Sequence, residues 1–242
     1  MESSINCKNC SSEVIGSFCH KCGQKSSVNK VSFKETFQDF IDTVLSVNAP
    51  LITTTKILFV NPGILFREYL NGKRKSYYKP VSFFIITTLI YIIVRSLINY
   101  NPMTTAGVKV EGEILVDAGK YMVKNINNIM FLFVFALGVL FKLFFYRKNS
   151  LAEFIAISFY AVGVYTIIGL ISMFYLKYVD PQYTVIPIVV FMGYVIFAFS
   201  SFFKSRKITT ILKIFLVYTL SFMVYSGIGF LLSFLIVWLK TS

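Results

Sequence analysis

The stretch from Arg67 to Pro80 reads R-E-Y-L-N-G-K-R-K-S-Y-Y-K-P, and it separates a polar front part of the chain from a hydrophobic back part. It contains a basic cluster and two neighbouring tyrosines, followed by a proline that can open a helix. Basic residues and tyrosines are enriched where a chain meets the surface of a membrane. We therefore interpret six residues as a membrane-surface anchor: Lys73, Arg74, Lys75, Tyr77, Tyr78 and Lys79.

The composition places the chain among membrane proteins. It has 242 residues, of which 56% are hydrophobic and 14% are charged, whereas charged residues reach about 25% in ordinary soluble domains. The net charge of +13 would suggest nucleic acid in a soluble protein, but here most basic residues flank hydrophobic segments. There they set the orientation of the chain and contact anionic lipid. The expected partner is therefore the lipid bilayer, and nucleic-acid binding is the weaker interpretation.

Five apolar runs are each long enough to cross a hydrocarbon core of about 30 Å as a helix. They lie near residues 81–100, 126–146, 153–177, 183–203 and 210–239. The expected fold class is a mainly α, polytopic membrane bundle of about five transmembrane helices, formed by residues 81–242. Lys and Arg are concentrated in the loops on one side, which predicts a cytoplasmic N-terminus and a C-terminus outside.

All four cysteines lie in the first 22 residues, as the pairs C-K-N-C and C-H-K-C. Two such pairs can direct four thiolates at one ion, which is the closed tetrahedral site of structural zinc. We therefore predict a zinc ribbon over residues 1–30. Its predicted ligands are Cys7, Cys10, Cys19 and Cys22. Two disulfides or a redox-active C-x-x-C are the competing interpretations, although a redox pair needs a βαβ setting. His20 is interpreted as an exposed residue and not as a ligand.

Residues 31–80 are interpreted as amphipathic and juxtamembrane helices. The first begins at Ser32, which forms a capping box with Glu35, and its apolar residues recur at helical spacing. Its apolar face consists of Phe33, Phe37, Phe40, Ile41, Val44 and Leu45. Its opposite face is acidic, which favours packing on protein over binding to anionic lipid. Two further helical segments are predicted at 50–60 and 64–70, separated by an N-P-G turn.

The predicted spans contain few ionisable side chains at membrane depth. No Asp, Glu or His falls near the middle of a predicted span, so we do not expect an enzyme. Arg95 is the most intrusive cation and is interpreted either as an end anchor or as the partner of a functional group. Hydroxyls and small residues in the spans are typical of helix contacts, with a polar path along the tyrosines as the alternative. In the loop 101–125 we predict a small hairpin about Glu111-Gly112.

The chain resembles a family of uncharacterised membrane proteins found largely in Bacteroidota. The resemblance is carried by C-K-N-C, F-C-H-K-C-G-Q-K, the Phe-rich helix and N-P-G-I-L-F-R-E-Y-L-N-G-K-R-K-S-Y-Y-K-P, and it covers roughly residues 5–100. It implies a bacterial inner-membrane protein with a cytoplasmic zinc site and the signature Tyr69–Lys75 before the first span. It implies no reaction. A looser likeness, of architecture only, is to inner-membrane proteins with cytoplasmic zinc ribbons that take part in envelope lipid trafficking.

These features lead to two functional hypotheses. The first is a non-enzymatic inner-membrane scaffold or regulator whose zinc ribbon and juxtamembrane helices bind another protein or a second copy of the chain. The second is a transporter, channel or lipid-handling component with the ribbon as a regulatory cap. A membrane-perturbing effector is a weaker third hypothesis.

Overall fold

The computed structural model describes residues 5–26, 51–100 and 113–241. Within these ranges the chain is mainly helical and begins with a small two-stranded ribbon that holds four close cysteines. The predicted fold class is therefore confirmed. The predicted capping box at Ser32 and the helix that follows it lie outside the described residues.

The described residues form two short strands and eight helices. Strands β1 (Ile5–Asn6) and β2 (Glu13–Val14) are antiparallel, with Ile5 opposite Val14. The helices are α1 (Leu51–Val60), α2 (Pro62–Leu70), α3 (Pro80–Leu97), α4 (Glu113–Lys124), α5 (Ile126–Phe144), α6 (Leu151–Tyr178), α7 (Ile186–Phe203) and α8 (Ile208–Thr241).

Four of these helices are long and apolar enough to cross a membrane, namely α3, α6, α7 and α8. The chain is accordingly a multi-pass membrane protein. The predicted span near 126–146 coincides with α5, in which Ile129–Phe144 forms a shorter apolar helix. The total of five spans therefore stays a prediction.

One hydrophobic core joins the front helices to the bundle. Helix α3 packs along α6, α5 packs between α6 and α8, and α2 packs on α7. The fully buried Tyr160 of α6 contacts the rings of Phe66 and Tyr69 from α2 and of Phe83 from α3. Because aromatic pairs contribute specific packing beyond the area they bury, this cluster fixes α2 and α3 on the same helix.

The loop before α5 differs from its prediction. Residues from Glu113 onward form α4, whereas the hairpin predicted about Glu111-Gly112 requires a strand there. The prediction of this second strand is therefore wrong, and the first strand of the hairpin lies outside the described residues. Helix α4 packs on α8, with Ala118 fully buried and Met122 near Gly229. A periodic apolar face packed on a neighbouring helix outweighs the weak strand preference of the I-L-V run.

The turn between α1 and α2 packs closely on α7. Asn61 caps α2, since its side-chain oxygen accepts a hydrogen bond from the N–H of Ile64 at 3.4 Å and another from the hydroxyl of Ser201 at 3.1 Å. Pro62 occupies the first turn. A Cβ atom on Gly63 would overlap the backbone of Ser201 and Phe202 in α7. Glycine therefore permits the contact between the two helices.

We predict that Gly63→Ala destabilises the protein by about 1–3 kcal/mol, because the methyl group must push α2 away from α7. The thermal unfolding midpoint of the purified protein in detergent should fall. Gly193→Ala is the matched control in α7, since no atom lies within 4 Å of a Cβ placed there, and its midpoint should be unchanged or raised. Equal midpoints for the wild type and Gly63→Ala would contradict the close contact.

Candidate metal centre

The ribbon brings the four predicted ligands to one point. The Sγ atoms of Cys7, Cys10, Cys19 and Cys22 all lie within 4.8 Å of one another. Two Sγ–Sγ distances, Cys7–Cys22 and Cys10–Cys19, are both 3.6 Å. A tetrahedral site with metal–sulfur bonds of about 2.3 Å has sulfur–sulfur edges of about 3.8 Å. The cluster can therefore hold one metal ion, and its cysteines are free, not joined in the disulfides of the competing interpretation.

The two C-x-x-C pairs fold into equivalent knuckles. In the first, the N–H of Ser11 donates to the carbonyl of Cys7 at 2.8 Å, and in the second the N–H of Gly23 donates to the carbonyl of Cys19 at 2.8 Å. Both donors have a left-handed backbone, with φ of 59° at Ser11 and 69° at Gly23. The turn after each pair thus directs its two thiols to the same side, as glycine at position 23 suggests from the sequence.

The protein groups around the sulfur atoms give the thiols unequal acidities. The hydroxyl oxygen of Ser12 lies 3.0 Å from Sγ of Cys10 and 3.2 Å from Sγ of Cys19. Hydrogen bonding to Ser12 lowers the pKa of Cys10 and lowers the pKa of Cys19 to about 5. Burial instead raises the pKa of Cys22 to about 11. A dication at the centre would favour the thiolate form of all four.

The donor set limits what the centre can do. Four thiolates in a tetrahedron suit zinc or iron, and they leave no coordination position for a substrate or a water molecule. His20, the only histidine of the chain, is exposed and is not part of the ligand group. A site of this kind holds a fold together and does not activate a substrate.

The second knuckle binds the hinge loop, which we define as residues 71–79. The Gln24 side chain is buried, and its Nε2 donates to the carbonyl of Gly72 at 2.6 Å. Its Oε1 accepts hydrogen bonds from the N–H groups of Arg74 at 3.2 Å and Lys75 at 3.1 Å. One amide side chain thus satisfies three backbone groups of the hinge loop.

The first knuckle binds the same loop through Asn9. Its Oδ1 accepts hydrogen bonds from the backbone N–H of Ser76 at 3.1 Å and from the hydroxyl of Ser76 at 2.6 Å. Sequence reasoning missed both Asn9 and Gln24. The only signal is an amide residue inside the first C-x-x-C pair and another just after the second, which does not identify partners 48 and 67 residues further along the chain.

The structure corrects the predicted role of two anchor residues. Tyr77 and Tyr78 are buried in the protein core, so their rings do not face lipid headgroups. The hydroxyl of Tyr77 donates to the carboxylate of Glu68. The backbone N–H of Tyr78 donates to Oγ1 of Thr54 at 2.8 Å, and its carbonyl accepts from the hydroxyl of Tyr160. The hydroxyl of Tyr77 and the backbone N–H and carbonyl of Tyr78 thus have protein partners, which offsets the cost of burying these polar groups.

The basic residues of the predicted anchor lie at the surface of the same loop. Lys73 forms an ion pair with Glu68 at 3.0 Å, and the guanidinium of Arg74 lies 5.7 Å from the ring centre of Tyr69. Burial opposes the ionisation of Glu68, but hydrogen bonds from Tyr77 and Lys73 together outweigh it, so the pKa of Glu68 lies below its usual value. Lys75 is exposed. A membrane role of Lys73, Arg74, Lys75 and Lys79 stays a prediction.

Two further arginines bind helix ends. Arg67 donates through Nη1 to the carbonyls of Ser201 and Phe202 at the end of α7, the second at 3.1 Å. Nε of Arg95 donates to the carbonyl of Tyr100, just after α3, at 3.3 Å. Terminal carbonyls lack partners within a helix and favour cations. The role of Arg95 as an end anchor stays a prediction, and the contact of Arg67 with α7 is not predicted from the sequence.

Comparison with known families matches one part of the chain. Residues 50–92 match the model of a family described as a protein of unknown function (DUF3667). This segment contains α1, α2, the hinge loop and most of α3. Comparison with curated proteins and with solved structures gives no match. The matched segment, the membrane-spanning helices and the cysteine cluster together fit an uncharacterised family of membrane proteins.

We predict one metal ion per chain in the purified protein, because four thiols at these distances satisfy a tetrahedral ion. Elemental analysis should show that the double variant Cys19→Ser, Cys22→Ser loses the metal. His20→Ala is the matched control within the same knuckle and should retain it. Metal loss in His20→Ala would mean that the ligand set is wrong, and a metal-free wild type with disulfides would refute the centre altogether.

Proposed function

We propose that the chain is a non-enzymatic integral protein of the bacterial inner membrane, with a cytoplasmic zinc ribbon that serves as a docking module. As a scaffold or regulator, it would bind another protein or a second copy of itself through this module. The proposal rests on one observation. Asn9 and Gln24 fix the ribbon to the bundle on one side, yet the ribbon exposes large apolar side chains. Ile15 is 81% exposed and Phe18 is 61% exposed.

Such exposure is costly in a ribbon of this size. Its buried apolar cluster consists of Val14 and the cysteines, while Ile15 and Phe18 remain in solvent. Binding sites are commonly anchored by one or two aromatic or aliphatic side chains that become buried on contact. Ile15 and Phe18 have the chemistry of such anchors, and the ribbon holds them at a fixed place beside the membrane bundle.

Zinc is the metal that we propose for the centre. Its closed tetrahedral preference suits the four thiols, and a reducing cytosol keeps thiols available as ligands. The closed site also supports a non-enzymatic role, since it offers no position where a substrate could bind the metal.

A cytoplasmic position of the ribbon is supported by charge. The ribbon and hinge loop adjoin the beginning of α3, and α2 packs on the end of α7. The loops after α5 and α7, at residues 145–150 and 204–207, carry five further Lys or Arg residues between them. An excess of basic residues in short loops marks the cytoplasmic side. In this orientation Lys73, Arg74, Lys75 and Lys79 would contact the anionic inner leaflet.

We expect reporter fusions to give an N-in, C-out topology with five spans, because the basic loops alternate with less basic ones. A reporter that is active only outside the cytoplasm should be silent after Lys207 and active after Ser242. The opposite pattern would reverse the orientation. Silence at both positions would show that the predicted spans are miscounted.

The docking role is tested by a photoreactive residue in place of Phe18 in the full chain, within native membranes. We expect a discrete protein adduct, or a dimer of the chain, that disappears in the Cys19→Ser, Cys22→Ser variant. A photoreactive residue in place of Val189, which is 52% exposed on α7, is the control and should yield no such adduct.

No adduct at position 18 would contradict the docking role. If removal of the ribbon instead changes solute or lipid flux while the protein partners stay the same, the transporter, channel or lipid-handling hypothesis replaces it.

A further inference from the structure

We infer that metal binding to the ribbon is coupled to the order of the hinge loop, with Asn9 and Gln24 as the coupling residues. The inference rests on the metal site proposed above and adds to it a consequence outside the ribbon. Metal occupancy would decide whether Lys75 and Ser76 are held in place, since the N–H groups of Gly72 and Lys73 already donate to carbonyls of α2. The chain would thereby carry a metal-dependent switch at the membrane end of its docking module.

Gln24 is tied to the metal centre through its own backbone. Its carbonyl accepts a hydrogen bond from the N–H of the ligand Cys19 at 2.7 Å, so the knuckle fixes its position. From that position its side chain reaches Gly72 and the N–H groups of Arg74 and Lys75. A change in the knuckle therefore moves the group that binds the hinge loop.

Asn9 is tied to the centre by its place in the chain. It lies between the ligands Cys7 and Cys10, inside a turn closed by the hydrogen bond from Ser11 to Cys7. Its side-chain oxygen accepts both hydrogen bonds from Ser76. The two knuckles thus contact successive parts of the same loop, one through Gln24 and the other through Asn9.

The ribbon cannot hold this arrangement by burial alone. Its paired strands have two residues each, and its buried cluster is Val14 with Cys7 and Cys19, supported by Cys10 and Cys22. Segments of this size take their folding free energy from the metal. Without the ion the knuckles would open, and Asn9 and Gln24 would leave the hinge loop together.

The effect of metal removal on the hinge loop should not extend to Tyr78. Tyr78 is held by the bundle and not by the ribbon, since its N–H donates to Thr54 and its carbonyl accepts from Tyr160. The N–H groups of Lys75 and Ser76 instead donate to Gln24 and Asn9. Metal removal should therefore free the amides at 75 and 76 while the amide at 78 stays protected. The segment that is freed includes the exposed cation Lys75.

Hydrogen exchange of the full chain in detergent micelles tests this coupling directly. With a zinc chelator, exchange at Lys75 and Ser76 should accelerate at least about tenfold, because each amide loses its hydrogen-bond acceptor. Exchange at Tyr78 in the same sample is the internal control and should change little. Gln24→Ala should accelerate exchange at Lys75 with metal still bound. Ser17→Ala, which alters an exposed side chain of the ribbon, should not.

The zinc affinity of the chain gives a second test of the coupling. If metal binding orders the loop, then loss of the loop contact must weaken metal binding by the same factor. The zinc affinity of Gln24→Ala, measured by chelator competition, should fall several-fold relative to wild type and Ser17→Ala. Bound zinc with equal exchange at Lys75 and Ser76 before and after chelation would overturn the coupling alone. A wild-type protein that binds no zinc would overturn the metal site and the coupling with it.

Discussion

The contact between the start of α2 and the end of α7 is the constraint on which the rest of the arrangement depends. Gly63 lets the α2 backbone reach Ser201, and Arg67, one turn later, donates to the carbonyls of Ser201 and Phe202 at the end of α7. Once α2 is held there, Phe66 and Tyr69 meet Tyr160 on α6. The hinge loop and the start of α3 then follow within a few residues, so a local backbone contact sets the position of α2, the hinge loop and the start of α3.

Basic side chains do more in this protein than orient it in the membrane. Besides Arg67 and Arg95, Lys142 donates to the carbonyls of Tyr146 and Asn149 just after α5. Lys177, near the end of α6, donates to the carbonyl of Ile98 just after α3. Cations near helix ends are favourable because the last carbonyls carry partial negative charge. A residue counted as a topological signal in the sequence can therefore also serve as a specific cap.

The parts of the fold that sequence predicts are those that depend on local patterns. Apolar runs long enough for a membrane give α3, α6, α7 and α8 within a few residues, and the spacing of the cysteines predicts their convergence. Tyr77 and Tyr78 were placed at the membrane surface because an amphipathic ring suits a headgroup layer as well as a core that offers a hydrogen-bond partner. Only the tertiary contacts with Glu68, Thr54 and Tyr160 decide between the two.

The distinction between side chains with internal contacts and exposed side chains also bears on function. The family match at residues 50–92 falls on a segment in which several side chains contact other parts of the protein: Asn61 at Ser201, Arg67 at the end of α7, and Glu68 with Lys73 and Tyr77, although Ile52 of α1 is 84% exposed. A sequence pattern that is explained by internal contacts carries little information about an external ligand. Ile15 and Phe18 are different, because they are exposed on a ribbon that the hinge loop holds in place. Binding to another molecule would bury them, whereas the internal packing of the described chain does not, and the proposed docking role rests on this difference.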